Sequence, residues 1–446
     1  MMRVLKFGGT SVGSVESIRN VKNIVLSQPG KKLLVLSAMS GVTNELVKIS
    51  DNIKAGNSED IKAIISGLRI RHESTIKELI SDAEVQQETL VQLNKILAQL
   101  EATAKKSHSE ALYSEIVTFG ETMLTTIFSQ FLRSEKIENQ WLDAKTFMHV
   151  SNLENPDTKI VGQLFEKVTG SMPENEIYIT QGFVCINKKN EISTLKRGGS
   201  DYTATILGAS VNAEEVQIWT DIDGFHNNDP RYVENTHRIS ELSFEEAAEL
   251  AYFGAKILHP QTISPVMDKN IPIYLKNTFT PGSHGTRISP EARHKGLKAI
   301  SAKDGITAIK IKSNRMLMAH GFLRKIFDVF DNYETAIDMI TTSEIAISLT
   351  IDDDRNLDAI LAELDSYGEI TVEKDHSIIC VVGESVIEDK QTYRLFELLN
   401  DIPVRMISYG GSNNNISLLV DTQNKVATLR KLNEKLFEAA IKVEIV

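Results

Sequence analysis

The sequence predicts an α/β protein in which a large domain with a mainly parallel sheet between helices is followed by two ferredoxin-like βαββαβ modules. Three observations carry that reading. Short apolar runs alternate with amphipathic helical patterns over the first two thirds of the 446 residues, the signature of a sheet covered by helices. Glycine pairs stand directly after candidate strands. The last third carries an internal repeat.

Within the first region, residues 3–7, 32–38, 177–182, 215–220 and 271–275 read as strands. Residues 51–111 are charged and poor in glycine, with Leu90, Leu93, Ile96, Leu97 and Leu100 at helical spacing, and read as a helical excursion. From about Gly296 the pattern changes. Phe327-Asp328-Val329-Phe330, Met339-Ile340 and Ile347-Ser348-Leu349 recur as Phe396-Glu397-Leu398-Leu399, Met406-Ile407 and Ile416-Ser417-Leu418, at a period of about 67 to 69 residues. Each copy reads as strand, helix, strand, strand, helix, strand. Ile309 and Ile311 alternate with Lys310 and Lys312, as one buried strand face requires, and Leu323, Ile326, Phe327 and Phe330 share a helix face. The expected domains are residues 1–295, 296–374 and 375–446, with nesting of one module in the other left open.

Composition removes several classes of function. Hydrophobic residues at 41% and charged residues at 24% describe a folded protein, and the longest apolar runs fall far short of the ~20 residues that cross a bilayer. A net charge of −11 argues against a nucleic-acid partner, which demands clustered Lys and Arg. The N-terminus enters a strand without the features of a secretory signal, so a cytoplasmic protein is expected. Cys185 and Cys380 stand alone in apolar stretches and read as buried thiols.

The chemistry-bearing loops follow candidate strands, where open α/β sheets bind ligands. Lys6-Phe7 runs into Gly8-Gly9-Thr10-Ser11, which lets backbone amides approach phosphate oxygens. It is not a Walker A loop, and neither G-x-G-x-x-G nor the protein-kinase signatures occur. Alone, such a pair would more often be a tight turn. It is joined by Ser37-Ala38-Met39-Ser40-Gly41-Val42-Thr43, by Arg197-Gly198-Gly199-Ser200-Asp201, and by Thr220-Asp221-Ile222-Asp223-Gly224 with Asp229-Pro230-Arg231. Together they offer backbone donors, a guanidinium fork for a carboxylate and an acid able to orient a lysine or a magnesium ion.

Lys6-Phe7-Gly8-Gly9-Thr10-Ser11-Val12, Arg197-Gly198-Gly199-Ser200-Asp201-Tyr202-Thr203-Ala204 and Phe253-Gly254-Ala255-Lys256-Ile257-Leu258-His259-Pro260 resemble the aspartate kinase family. The trailing modules resemble its ACT pair, with Gly321-Phe322-Leu323 and Ile340-Thr341-Thr342-Ser343-Glu344 in matching places. The resemblance spans nearly the whole chain and implies a monofunctional member with the amino-acid kinase fold, moving the γ-phosphate of ATP onto the side-chain carboxylate of L-aspartate. It implies that Lys6 and Asp201 are catalytic. Gly8, Gly9, Ser11, Thr220, Asp221, His226, Arg231 and Lys256 would join Lys6 around ATP, and Mg2+ would be held mainly by the ATP phosphates. Ser37, Thr43, Glu121, Phe183, Arg197 and Ser200 would meet aspartate. Met316, Gly321, Phe322, Leu323, Asp338, Thr342, Ser343 and Glu344 would bind an effector, expected to be L-lysine, in a homodimer paired through ACT modules, with a tetramer as the further association. The pattern is broken at Lys196, where relatives carry glycine, at His226, Asn227 and Asn228, and at Ala319 in the effector loop. Two rivals stand beside this reading: a kinase of another amino acid, and a catalytically dead amino-acid sensor.

Overall fold

A computed structural model describes residues 2–172, 175–196, 198–254, 257–291, 295–313, 320–389 and 391–438. The chain forms two compact units: Met1–Phe225 with Ser240–Phe244 and Leu258–Glu291, and His226–Ile239 with Glu245–Ile257 and Ala292–Val446.

The first unit begins with β1 (Met2–Phe7), α1 (Val15–Ser27), β2 (Lys31–Leu36) and α2 (Val42–Ala55). The chain then runs through α3 (Ser58–Leu79), α4 (Ala83–Thr103), α5 (Glu110–Val117) and α6 (Phe119–Ser134). β3 (Gln140–Leu142), α7 (Thr158–Gly170) and β4 (Ile177–Gln181) precede a hairpin of β5 (Val184–Ile186) and β6 (Ile192–Thr194). After α8 (Gly199–Ser210) come β7 (Glu215–Thr220) and β8 (Glu241–Leu242). α9 (Phe244–Tyr252) lies almost wholly in the second unit, and α10 (Pro260–Met267), β9 (Ile273–Asn277) and β10 (Thr286–Ile288) return to the first. Eight strands form one sheet in the order β3-β4-β2-β1-β7-β9-β10-β8, with every pairing parallel except β9 with β10.

Local chemistry explains several boundaries. Ser14 caps α1 through a reciprocal box with Ser17, and Asp82, Ser109 and Asp157 each accept a backbone N–H at the start of a helix. The helical excursion is α3 and α4, and Leu93, Leu97 and Leu100 are buried in the same core as Leu5, Phe7, Leu34 and Trp219. The last predicted strand begins two residues later than expected, at Ile273, because Pro272 offers no N–H to a ladder.

The second unit is built on β11 (Gly296–Lys312), α11 (Phe322–Asn332), β12 (Ile340–Thr342), β13 (Ala346–Ile351), α12 (Leu357–Leu364) and β14 (Glu369–Glu384). It continues with α13 (Gln391–Leu398), β15 (Val404–Ser408), β16 (Asn415–Asp421) and α14 (Lys425–Asn433). One antiparallel sheet runs β12-β13-β11-β14-β16-β15. The long strands serve both repeats. Residues 296–303 of β11 pair with 378–384 of β14, and 306–312 pair with 369–376, with irregular register in between. Ile309 and Ile311 enter a core with Ile326, Leu349 and Ile360, whereas Ile300 enters a separate core with Ile379, Leu395 and Leu418. The expected boundary at 374/375 therefore falls inside β14, and the last strand expected of the second repeat lies outside the described residues. Among the described residues no helix is long and apolar enough to cross a membrane.

Candidate active site

A cleft of about 520 Å³ opens at the carboxyl ends of the central strands of the first unit. Lys6, Gly8, Gly9 and Thr10 follow β1; Ser37, Ala38, Met39, Ser40, Gly41, Thr43 and Asn44 follow β2; Phe183 follows β4; Thr220 ends β7. Lys196, Gly198, Gly199, Ser200 and Asp201 bring in the first turn of α8, so backbone N–H groups and the positive end of a helix face the space. Gly198 holds φ +72°, and a Cβ there would stand 2.9 Å from the His259 Cβ. At Gly9 a Cβ would stand 3.1 Å from the Ala38 carbonyl oxygen, so glycine is what lets these two loops close on each other.

Two charged features dominate the cleft. Lys6 Nζ lies 2.6 Å from Asp201 Oδ1, with both side chains largely shielded from solvent. The acid anchors the ammonium beside the glycine loop, where a Cβ on Gly8 would be 3.2 Å from that nitrogen. Glu121, on the first turn of α6, is only 3% exposed. Its Oε1 accepts a hydrogen bond from the Ala38 N–H at 3.3 Å, and its Oε2 has no partner. Burial pushes its pKa up to about 8, against the smaller opposing effect of backbone hydrogen bonds. A buried carboxyl oxygen without a partner, at the wall of an open cleft, has the chemistry to receive a cationic ligand group.

The N-terminal region matches the amino acid kinase family over residues 1–277, and residues 379–436 match the ACT domain. The lysine-sensitive aspartokinase 3 of Escherichia coli is 32% identical, with 98% of this chain and 99% of that protein covered. The chain belongs to the aspartokinase family. The chloroplastic aspartokinase 2 of Arabidopsis thaliana is also 32% identical, over 98% of this chain and 84% of the relative. The crystal structure of E. coli aspartokinase III in complex with aspartate and ADP, an R-state, aligns with a TM-score of 0.85 at 30% identity, covering 98% of this chain and 100% of that one. The T-state structure of the same protein with lysine and aspartate gives 0.79 at 30% identity, over 98% and 99%.

With the aspartokinase family in view, the expected site residues sort into groups. Lys6, Gly8, Gly9, Ser37, Thr43, Glu121, Phe183, Ser200, Asp201 and Thr220 all line the one cleft. Ser11 does not: it is fully buried, 2.6 Å from Thr278 Oγ1, and its hydroxyl donates to the Trp219 carbonyl at 3.4 Å, so it braces the glycine loop from behind. Asp221 accepts a hydrogen bond from the Thr220 hydroxyl at 3.0 Å and is not among the lining residues. His226 and Arg231 belong to the second unit, where Arg231 is held by Asp229 at 2.6 Å and His226 Nδ1 meets Thr236 Oγ1 at 3.0 Å. Arg197, Lys256 and Met316 lie outside the described residues. Asn44 lines the cleft although the sequence reading gave it no role, its signal being adjacency to Thr43; Ser40 and Gly41, named there only as members of the loop after β2, and Lys196, named only as a break in the family pattern, line it too.

Of the expected effector residues, Gly321 begins α11 with φ +78°, Phe322 is buried in the module core, and Leu323, Thr342, Ser343 and Glu344 are exposed. Asp338 is different. Its side chain is buried, and its Oδ1 accepts from both the Lys303 ammonium and the Tyr252 hydroxyl at 2.7 Å. Lys303 also pairs with Asp352 at 2.8 Å and lies 4.3 Å from the centre of the Tyr252 ring.

Proposed function

We propose that this cleft holds ATP and L-aspartate side by side and transfers the γ-phosphoryl group to the aspartate side-chain carboxylate, giving 4-phospho-L-aspartate. The observation that carries the reading is the placement of the anchored Lys6 and the unpartnered Glu121 on the walls of one cleft. The nucleophile is a carboxylate with a pKa of ~3.9, already ionised at neutral pH, so the site needs no general base. What it must do is hold two anions together and stabilise a loose in-line transition state. Lys6, fixed by Asp201, meets the charge on the moving phosphoryl, while the amides of Gly8 and Gly9 and the α8 N-terminus hold the remaining oxygens. Glu121 takes the aspartate ammonium, leaving the side-chain carboxylate aimed at the phosphorus. Arg197 and Lys256 are assigned by resemblance to the aspartate carboxylate and the nucleotide.

Mg2+ carried by the nucleotide would supply positive charge against the phosphates, with Asp201 beside Lys6 as the acid in the cleft able to orient it. Among the described residues no cluster of three or more His, Cys, Asp or Glu is arranged to hold a metal ion.

The second unit is read as a pair of ACT modules, with the strand sharing of β11 and β14 supporting a nested arrangement. L-lysine is the proposed effector, supported by the lysine-sensitive relative and by the lysine complex. Its binding seam would lie between first modules of a homodimer, near Gly321, Thr342, Ser343 and Glu344, with Asp338 turning from its present partners to the effector. Ser343→Leu would then raise the lysine concentration for half inhibition many-fold and leave uninhibited turnover nearly unchanged. Threonine inhibiting where lysine has no effect would overturn the effector assignment alone.

The test of the catalytic reading is ATP turnover by the purified protein with L-aspartate, with L-glutamate and with no acceptor. Turnover should require L-aspartate; equal or better turnover with L-glutamate would contradict the assignment, and none with any acceptor would favour a sensor.

A further inference from the structure

Lys196 adopts φ +59°, in the left-handed region that suits glycine and strains a lysine. Strain of this kind persists where the side chain returns something for it. Phe183, a second left-handed residue other than glycine among the described residues lining the cleft, has a visible reason: at φ +70° its N–H donates to Thr203 Oγ1 at 2.8 Å and its ring packs on Gly199. Lys196 has no such support. Its backbone oxygen accepts from the Gly199 N–H at 3.1 Å, a bond that glycine would make equally well. The side chain is exposed and lines the cleft, and no acidic side chain among the described residues pairs with it.

Its place along the cleft says which reactant it faces. The sheet order β4-β2-β1-β7 sets the loops in a row: Phe183 after β4, Ala38 with Glu121 after β2, Lys6 to Gly9 on β1 and Thr220 on β7. The glycine loop and Thr220 stand at the β1 and β7 end, and the first turn of α8 reaches toward them through Asp201 on Lys6. Lys196 belongs to the other end, because the Leu195 N–H donates to the Phe183 carbonyl at 2.9 Å and closes the base of the β5–β6 hairpin there. The next loop in that row is the one after β2, where Ala38 meets Glu121, the proposed seat of the acceptor ammonium.

We infer that Lys196 is a further acceptor-binding contact of this enzyme, its ammonium meeting the α-carboxylate of the acceptor amino acid. An α-amino acid seated by its ammonium on Glu121 presents its α-carboxylate about 3 Å further along, and an unpaired lysine is the complementary charge. This deepens the aspartate kinase reading and rests on it.

Lys196→Gly separates strain from function, since glycine takes the same backbone without cost. It should raise the thermal midpoint of the first unit and raise the KM for L-aspartate about tenfold, the loss of one charge-assisted contact. The KM for ATP should stay within twofold and kcat should change less than the aspartate KM, while Lys196→Arg should restore most of the affinity. An aspartate KM within twofold of wild type in Lys196→Gly overturns the inference, as does a larger change in the KM for ATP than for aspartate. Both are measured against a wild type that turns over ATP with aspartate; a wild type that does not overturns the parent reading and this inference with it.

Discussion

Two lysine–aspartate pairs of nearly equal length sit in the two units of this chain. Lys6–Asp201 spans 2.6 Å and Lys303–Asp338 spans 2.7 Å. Their surroundings differ. The first stands on the wall of an open cleft between a glycine loop and a helix N-terminus, whereas the second is closed by the Tyr252 hydroxyl and by Asp352, with the ammonium against an aromatic face. The same ion pair therefore faces an open cleft in one place, where the proposed function makes it a phosphate contact, and is an internal clasp in the other. Glu121 sharpens the contrast, being a buried carboxylate whose free oxygen has no protein partner at all.

The comparison breaks most clearly if each lysine is replaced by an apolar residue of similar length. Lys6→Met should lower turnover by roughly 10²-fold or more, because the charge on the transferring group loses its fixed counter-ion. The far-ultraviolet circular dichroism and the unfolding midpoint should change little by comparison. Steady-state kinetics within a few-fold of wild type would return Lys6 to the status of an ordinary strand-end lysine.

Lys303→Met should act the other way. Removing the cation leaves the buried Asp338 uncompensated and destabilises the second unit by about 3 kcal/mol, with smaller effects on uninhibited kcat. Denaturant unfolding followed by tyrosine fluorescence reads this directly, and Lys303→Met combined with Asp338→Leu should recover most of the loss. A double variant no more stable than the single one would show that the carboxylate was not the source.

A smaller effect follows from the protonation of Glu121. Its folded-state pKa of about 8 lies above the ~4.3 of the unfolded chain, so the free protein holds a proton that the unfolded chain releases between those values. Stability should therefore fall as pH rises from about 5 to 8, and Glu121→Gln should flatten that slope. Because the ammonium needs the ionised acid, the aspartate KM should fall over the same interval in the wild type and lose this dependence in the variant. Identical pH profiles for the two proteins would remove Glu121 from acceptor binding.

The two comparisons also explain what the sequence made visible. β1, its glycine loop and the Gly198-Gly199 turn were legible because several such loops occur together after candidate strands, where one alone would more often be a tight turn, and the structure brings Lys6 and Asp201 to one cleft. Ser11 was misleading for a physical reason: a hydroxyl beside glycines can turn to a ligand or back to a neighbouring strand, and here Thr278, 267 residues away, takes it. Asp338 likewise finds its partners 35 and 86 residues away, at Lys303 and Tyr252, so local pattern could not tell a clasp from an exposed ligand. The repeat in the last third was legible, but its pairing was not. β11 and β14 are each long enough to serve two cores, and periodicity counts residues without saying which strand lies beside which.

The central claim, that Glu121 reads the ammonium of an acceptor whose other carboxylate takes the phosphoryl group, meets its most direct test in a pair of acceptors. Succinate is aspartate without the ammonium. The ratio of kcat/KM for L-aspartate over succinate should be at least about 10²-fold in the wild type, since succinate brings no ammonium to meet Glu121, and should drop to a few-fold in Glu121→Gln. A ratio that is the same in both proteins would contradict the account.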